Sequence, residues 1–413
     1  MLRDPDVVVL GGGPSGCATA TLLAQKGFVV DLFERDSFPR FQIGESLIPH
    51  TYDVLNRLNI LDRMRQSHFV KKHSVQFVSQ NGKLSEPFYF ADHDYHERSQ
   101  TWQVRRSEFD QMLLDNARDH GVRAHENTRA LEVLFEGKRA VGVAIQPKGG
   151  PAREVRGKVI VDACGQSSLL LDRLNLREWD PVLKKAAVWT YWKGAFRDHG
   201  KDEGATMVLQ TKDKKGWFWY IPLHDDIVSV GVVAGYDYLF QNRKTKDFEE
   251  IYFEEVDRCP GLGPRIKNAT RCDIFRTRKE YSYRSRQVAG EGWVLVGDAF
   301  GFLDPLYSSG VLLALTSAAM AADAIGDALA ANDPSETRLR SWENEYVLGM
   351  ERMRRLVCAF YDGLNFGKLV RRHPDKKGLI TDILIGNLFH ESVDELWPLI
   401  DELKGEGAHD RSE

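Results

Sequence analysis

Gly11-x-Gly13-x-x-Gly16 carries the most definite chemistry in this chain. Three glycines at this spacing suit a dinucleotide pyrophosphate. The first permits a tight turn, the second lets phosphate approach bare backbone, and the third lets a helix pack closely on a strand. Pro14 and Ser15 share the loop, and Glu34 follows Gly16 by eighteen residues. A carboxylate there can accept hydrogen bonds from a ribose diol. A purely structural glycine turn is the plain alternative, but strand, helix and acid in register favour a nucleotide. These residues alone do not separate FAD from NAD.

A second glycine loop, GDAFGFLDP at 297–305, lies between an apolar run and an apolar helical stretch. Exposed amides and a helix N-terminus suit an anion or a carbonyl-rich ring edge. Asp298 would be repelled by phosphate, so hydroxyls or a water are its better partners. In isolation, Asp298 and Asp304 would read as turn or cap residues. WFWYIP at 217–222 holds Trp217 and Trp219, which either anchor a core or line a site. Lys71 and Lys72, in FVKKHSVQF, are either two solvated lysines or one that reaches inward. An ammonium on a long stem can enter a tunnel, and desolvation would lower its pKa and expose a nucleophilic amine.

Other chemistries are disfavoured. The net charge of -4 gives no reason to expect a nucleic-acid partner. Cys17, Cys164, Cys259, Cys272 and Cys358 form no CxxC pair, so no metal is expected and a reducing cytosol is. The first strand begins almost at Met1 and leaves no room for a signal peptide, which supports a cytoplasmic expectation. Gly310 to Ala331 is the most apolar later segment. Ser317, Asp323 and Asp327 within it favour a buried helix over an integral membrane span.

Positioning these residues requires a particular order of elements. DVVVL at 6–10 is a continuous apolar run, as in a buried parallel strand. A helix to Gln25 and a strand from Phe28 to Phe33 complete a β-α-β unit with the glycines in its turn. ESLIPHTYDVLNRLNILDRM has helical periodicity, with Glu45 and Ser46 as candidate caps. Val75 to Val78 reads as a strand, 107–119 as a helix, Leu131 to Phe135 and Ala140 to Ile145 as two strands, and Lys158 to Asp162 as another parallel strand. From about Ala186 the alternating aromatic segments predict an antiparallel sheet, crossed by a helix in TKDFEEIYFEEV.

The expected fold class is α/β and α+β. Residues 1–185 form the first part of a Rossmann-like domain, with inserted strand segments near 70–105. Residues 186–290 form an antiparallel-sheet substrate domain. Residues 291–333 resume the first domain, and 334–413 form a C-terminal helical region whose last residues, HDRSE, are frayed.

The whole chain resembles the FAD-binding monooxygenase and halogenase superfamily. Three segments carry this first resemblance: VRRSEFD at 104–110, with Arg106 at the family's arginine; DACGQSS at 162–168, with Asp162 and Gly165; and GDAFGFLDP, with Gly297, Asp298 and Pro305. Within that superfamily it most resembles the flavin-dependent halogenases of the phenolic, pyrrolic and carrier-dependent kinds. WFWYIP matches their WxWxIP motif, LYSSGV at 306–311 resembles their (F/Y)SSGV segment, and FPRFQIGESLIP at 38–49 resembles their PRxxxGESLxP strap.

The resemblance implies FAD, delivered reduced by a separate flavin reductase, with chloride or bromide as co-substrate. It implies cofactor contacts at Gly11, Gly13, Pro14, Ser15, Gly16, Glu34, Arg35, Arg40, Gly44, Glu45, Ser46, Arg106, Asp162, Gly165, Gly297, Asp298, Pro305, Gly310 and Val311. It places the halide on the amides of Ser309 and Gly310. Trp217 and Trp219 would keep flavin and substrate apart, and Lys72 would hold hypohalous acid between them.

Two departures matter. The family's lysine is followed two residues later by glycine, where this chain has Ser74, so the register between Lys71 and Lys72 is open, with Lys72 favoured. LDPLYSSG has no glutamate near the chloride loop, and Tyr307 stands in that neighbourhood. This favours a small electron-rich phenol or pyrrole, free or on an acyl or peptidyl carrier protein, over free tryptophan. An FAD-dependent hydroxylase and a geranylgeranyl-reductase-like flavin oxidoreductase stay open as alternatives, because related enzymes keep a similar glycine loop. No second GxGxxG is evident, which fits an imported reduced flavin.

Overall fold

Val7–Leu10, Val30–Phe33 and Val159–Asp162 are short apolar runs buried along their whole length, and they lie side by side as parallel strands. A computed structural model describes residues 3–364 and 366–409. The three strands form the centre of a six-stranded sheet ordered Ala289–Gly290, Trp293–Leu295, Val159–Asp162, Val7–Leu10, Val30–Phe33, Arg123–His125. Burial on both faces needs helices on both sides, which is why these strands read as unbroken apolar runs. The helix Pro14–Gln25 packs against Gly310–Ala330. Among the described residues, Gly310–Ala330 is the one helix long and apolar enough to cross a membrane, and most of it is buried inside this fold.

A nine-stranded sheet faces this unit. From edge to edge it runs Gly301–Phe302, Arg276–Ser285, Arg177–Lys193, Ile227–Gly235, Gly216–Leu223, Thr206–Gln210, Ser74–Val78 and Phe88–Tyr89, with Thr270–Arg271 beside the third. It takes Ser74–Val78 from the first third of the chain and pairs it parallel with Thr206–Gln210. The alternation in WFWYIP sorts its side chains between the two faces. Trp217, Trp219 and Ile221 join the large core shared with the Rossmann-like unit, while Phe218 and Tyr220 enter a second core with Ile251 and Tyr252 of the helix Phe248–Asp257.

The strap departs from the helical expectation. Residues 45–49 are not helical, and helices form only at Thr51–Arg57 and Leu61–Gln66. Backbone pairing explains this. The Leu47 amide donates to the Trp102 carbonyl, the Val104 amide donates to the Glu45 carbonyl, and Ser46 bridges Gln103. Glu45 and Ser46 therefore cap no helix; His50 stands at the N-cap, with no side-chain cap bond. The C-terminal region holds the helices Glu343–Tyr361, Phe366–Arg372, Lys377–Ile385 and Leu396–His409. Residues 410–413 of the expected frayed tail lie outside the described residues.

Candidate active site

A cavity of about 700 Å³ runs from the glycine turn to the tryptophan strand. The glycines differ in what holds them. Gly11 has φ +98°, and a Cβ there would meet the Ala163 carbonyl oxygen at 2.5 Å. A Cβ on Gly16 would meet the Gly11 carbonyl oxygen at 1.9 Å. Gly13 has ordinary extended backbone, and its nearest neighbour would be Arg40 Nη2 at 3.7 Å. No protein contact forbids a side chain at Gly13, yet it would project beside the cavity wall that Gly13 helps to form. That is the cradle a pyrophosphate requires.

Glu34 is buried and already engaged. Its Oε2 accepts from the Gly12 amide at 2.8 Å and its Oε1 from the Asp36 amide at 2.9 Å. Each oxygen keeps a further lone pair for a ribose hydroxyl. Six arginines line the cavity, Arg35, Arg40, Arg106, Arg129, Arg276 and Arg278, against four carboxylates, Glu34, Asp36, Glu45 and Asp298. That excess suits the two negative charges of a pyrophosphate. The residues present thus fit FAD.

Arg106 acts on the strap. Its Nε and Nη2 grip Asp110 at 2.7 and 3.0 Å, and its Nη1 donates to the Ile43 carbonyl at 2.6 Å. Asp110 is fully buried and also meets Arg40 at 3.3 Å. Sequence reasoning passed over Asp110, although it closes the VRRSEFD segment. Gly44, with φ +105°, places Arg106 Nη1 3.0 Å from where a Cβ would stand. Pro14, Ser15, Gly44, Glu45, Ser46, Gly165, Asp298, Pro305, Gly310 and Val311 all line the cavity.

Some expected contacts lie elsewhere. Asp162 is fully buried and does not line the cavity. Its oxygens accept from the Cys164 amide, the Ser168 hydroxyl and the Leu170 amide, so it shapes the loop that presents Ala163 to Gly165. Gly16 and Gly297 also stand behind the lining; the Gly297 amide donates to Ser317 Oγ at 2.9 Å. At the expected halide loop, Ser308 rather than Ser309 lines the cavity. Ser308 has φ +58° and Ser309 is the N-cap of Gly310–Ala330, so the chain turns its amides together at a helix N-terminus. Burial pushes the Asp298 carboxyl up to about 6, opposed by Arg278 and Arg106.

Lys72 and Lys71 occupy opposite faces of the strand Val70–Lys72. Lys71 is exposed and Lys72 is 1% exposed. Lys72 Nζ donates to Ser46 Oγ and to the Leu47 carbonyl, each at 2.9 Å, and lies 5.5 Å from the Phe90 ring centroid. Burial lowers its pKa to about 7. It does not line the cavity itself; Ser46 and Thr206, whose hydroxyls are 2.8 Å apart, stand between. Ser74 is buried, and its hydroxyl donates to Asp202 at 3.4 Å.

The indoles of Trp217 and Trp219 line the cavity with centroids 6.4 Å apart. Trp219 Nε1 donates to Ser229 at 3.1 Å. Trp217 Nε1 donates to the Tyr361 hydroxyl at 2.9 Å, which donates to Asp304 at 2.8 Å. A third indole, Trp189, also lines the cavity, 6.1 Å from Trp219. Trp189 and Trp219 flank Gly231 in one row across three strands. A Cβ on Gly231 would stand 2.2 Å from Trp219 Cζ2 and 2.4 Å from Trp189 Cβ. The alternation in AVWTYW was the available signal for Trp189; nothing in the sequence marked Gly231. Glu45 faces the same region. Tyr191 donates to it at 2.7 Å, and burial pushes its carboxyl up to about 7.

The family model described as tryptophan halogenase matches residues 6–103 and 92–365. A tryptophan 2-halogenase of Chondromyces crocatus is 33% identical over 86% of this chain and 67% of its own length. A 1H-pyrrole-2-carbonyl-[peptidyl-carrier protein] chlorinase of Pseudomonas fluorescens is 32% identical over 87% of this chain and 84% of its own. The solved structure of the flavin-dependent brominase Bmp2 superposes with a TM-score of 0.86 at 28% identity, covering 100% of both chains. The chain belongs to the tryptophan halogenase family, the flavin-dependent halogenases, which are enzymes that use FAD as cofactor and a halide as co-substrate.

Proposed function

We propose that this enzyme halogenates a small electron-rich aromatic ring, a phenol or a pyrrole, free or carried on an acyl or peptidyl carrier protein, with Lys72 as the residue that delivers the halogen. The carrying observation is the Lys72 amine, buried without a carboxylate partner among the described residues and tied to the strap through Ser46 and Leu47. Bound reduced FAD supplies, with oxygen, the oxidising equivalent that turns chloride or bromide into hypohalous acid. Arg106, Gly13 and Glu34 would hold the cofactor, and Trp217, Trp219 and Trp189 would wall it from the ring to be halogenated. The amides of the N-cap Ser309 and of Gly310, turned together at the helix N-terminus, would hold the halide. Lys72 either donates a hydrogen bond to hypohalous acid or forms an N-halogen bond with loss of water. The ring then attacks the halogen and loses its proton, which returns to the Lys72 nitrogen on the N-halogen route or joins the hydroxide of hypohalous acid as water on the hydrogen-bonded route.

Two observations support the substrate class. A relative acts on a pyrrole-2-carbonyl group held by a peptidyl carrier protein. Tyr307, where a basic glutamate would help a poorer ring, is a buried phenol without a hydrogen-bond partner among the described residues, and burial holds it protonated. A separate flavin reductase supplies reduced FAD in this reading. Location in a reducing cytoplasm suits the five free cysteines. The test is Lys72→Ala, with FAD binding, oxygen uptake and halogenated product followed together on phenol and pyrrole substrates. FAD binding and oxygen uptake are expected to persist while product disappears, and Lys71→Ala should be far milder. Halogenation retained by Lys72→Ala would remove the assigned role.

A further inference from the structure

His68, Glu108 and His224 meet outside the cavity just described. Each offers one ligand atom, and these atoms lie within 4.8 Å of one another. His68 Nε2 is 2.9 Å from Glu108 Oε2, and His224 Nε2 is 3.1 Å from Glu108 Oε1. The two imidazoles meet edge to face with centroids 4.3 Å apart. His224 is 9% exposed, yet neither of its ring nitrogens makes an aligned hydrogen bond. Buried polar atoms without partners are uncommon in folded proteins, and each calls for a ligand or a function.

We propose that these three residues form a site for one divalent transition-metal ion of the zinc type. Two imidazoles and one carboxylate are a donor set that Zn²⁺ accepts while keeping a fourth position for water. Bonds of about 2.0–2.1 Å in a tetrahedron place ligand atoms about 3.3 Å apart. Here each imidazole meets a different oxygen of Glu108, and all three ligand atoms lie within 4.8 Å, so a small side-chain adjustment closes the set on one ion. The His68 side chain is 67% exposed, which leaves the outer position open to solvent. His224 Nδ1 lies 3.0 Å from Asp225 Oδ2, where a carboxylate would fix the tautomer of a ligating imidazole. Arg105 stands 3.4 Å from Glu108 Oε1 and is the cation that the metal ion displaces.

The three ligands join the elements that carry the active site. His68 lies just before the strand Val70–Lys72, Glu108 is in the first turn of Arg106–Asp119, and His224 follows the strand Gly216–Leu223. A bound ion would clip the lysine strand, the arginine helix and the tryptophan strand together, with no ligand lining the cavity. The expectation of no metal rested on the cysteines alone, whereas these ligands are two histidines and a glutamate from distant parts of the chain.

The probe is Zn²⁺ itself, titrated into FAD-loaded protein against a chromophoric chelator, with thermal melting and X-ray absorption in parallel. The expected result is one Zn²⁺ per chain at micromolar or tighter affinity, a raised Tm, and nitrogen and oxygen donors without sulfur. His68→Ala, at an exposed position that leaves the core intact, should weaken binding at least about tenfold and cancel the Tm rise. Glu108→Ala and His224→Ala should do the same. Three results would each overturn the site: no saturable binding below about 100 μM, sulfur donors in the absorption spectrum, or affinity unchanged in His68→Ala.

Discussion

Replacing Lys72 with methionine should stabilise the fold near neutral pH while ending the chemistry assigned to it. The amine is 1% exposed, has no carboxylate partner among the described residues, and has its pKa lowered to about 7 by burial. An unfolded lysine titrates near about 10.4. Between those values the unfolded chain holds a proton that the folded chain lacks, so wild-type stability rises with pH, by about 1.4 kcal/mol per pH unit. At pH 7 the buried amine therefore costs about 4 kcal/mol relative to a group that does not titrate. Methionine has a similar length and fills the same apolar space. It loses the two hydrogen bonds to Ser46 and Leu47, worth about 1–2 kcal/mol together, and Ser46 keeps its bond to Thr206.

The net gain for Lys72→Met is about 2–3 kcal/mol at pH 7, or a few degrees in Tm. It should be largest below about pH 7, shrink as pH rises, and reverse near about pH 10, where only the lost hydrogen bonds remain. The assay is thermal melting of both FAD-loaded proteins across that range. A variant less stable than wild type at pH 7, or a Tm difference that does not change with pH, would refute the reasoning.

Gly231→Ala should drive a methyl group into Trp219 and Trp189, costing about 1–3 kcal/mol; the check is a shift in tryptophan fluorescence and a loss of halogenated product exceeding the loss of bound FAD. Gly13→Val should fold, because a Cβ there meets nothing closer than Arg40 Nη2 at 3.7 Å, yet purify without FAD; a yellow variant with normal cofactor content would contradict the cradle. Tyr361→Phe removes the hydroxyl between Trp217 and Asp304, and should lower stability by about 1–3 kcal/mol in denaturant titration. Its effect should grow with pH above about 6, where Asp304, raised by burial, becomes charged and needs that donor.

The sequence by itself determined the nucleotide end of this protein and the identity of its motifs. Val7 to Leu10, the glycine turn and Glu34 are read from contiguous residues, because strand, turn and helix there are set by local spacing and by burial on both faces. The alternation of Trp217, Trp219 and Ile221 was equally local. What the sequence could not give were partners brought from far away. Ser46 and Glu45 read as helix caps, but long-range pairing with Gln103 and Val104 holds that segment extended and turns both side chains toward the site. Asp162 reads as a cofactor contact, but its oxygens are used on its own loop. Lys71 and Lys72 are equivalent in composition; the pairing of Lys72 with Thr101 puts one in water and the other in the core. Gly231, Trp189 and the His68–Glu108–His224 group exist only as neighbours across strands and helices, and a sheet whose strands come from distant parts of the chain does not announce that adjacency in any local pattern.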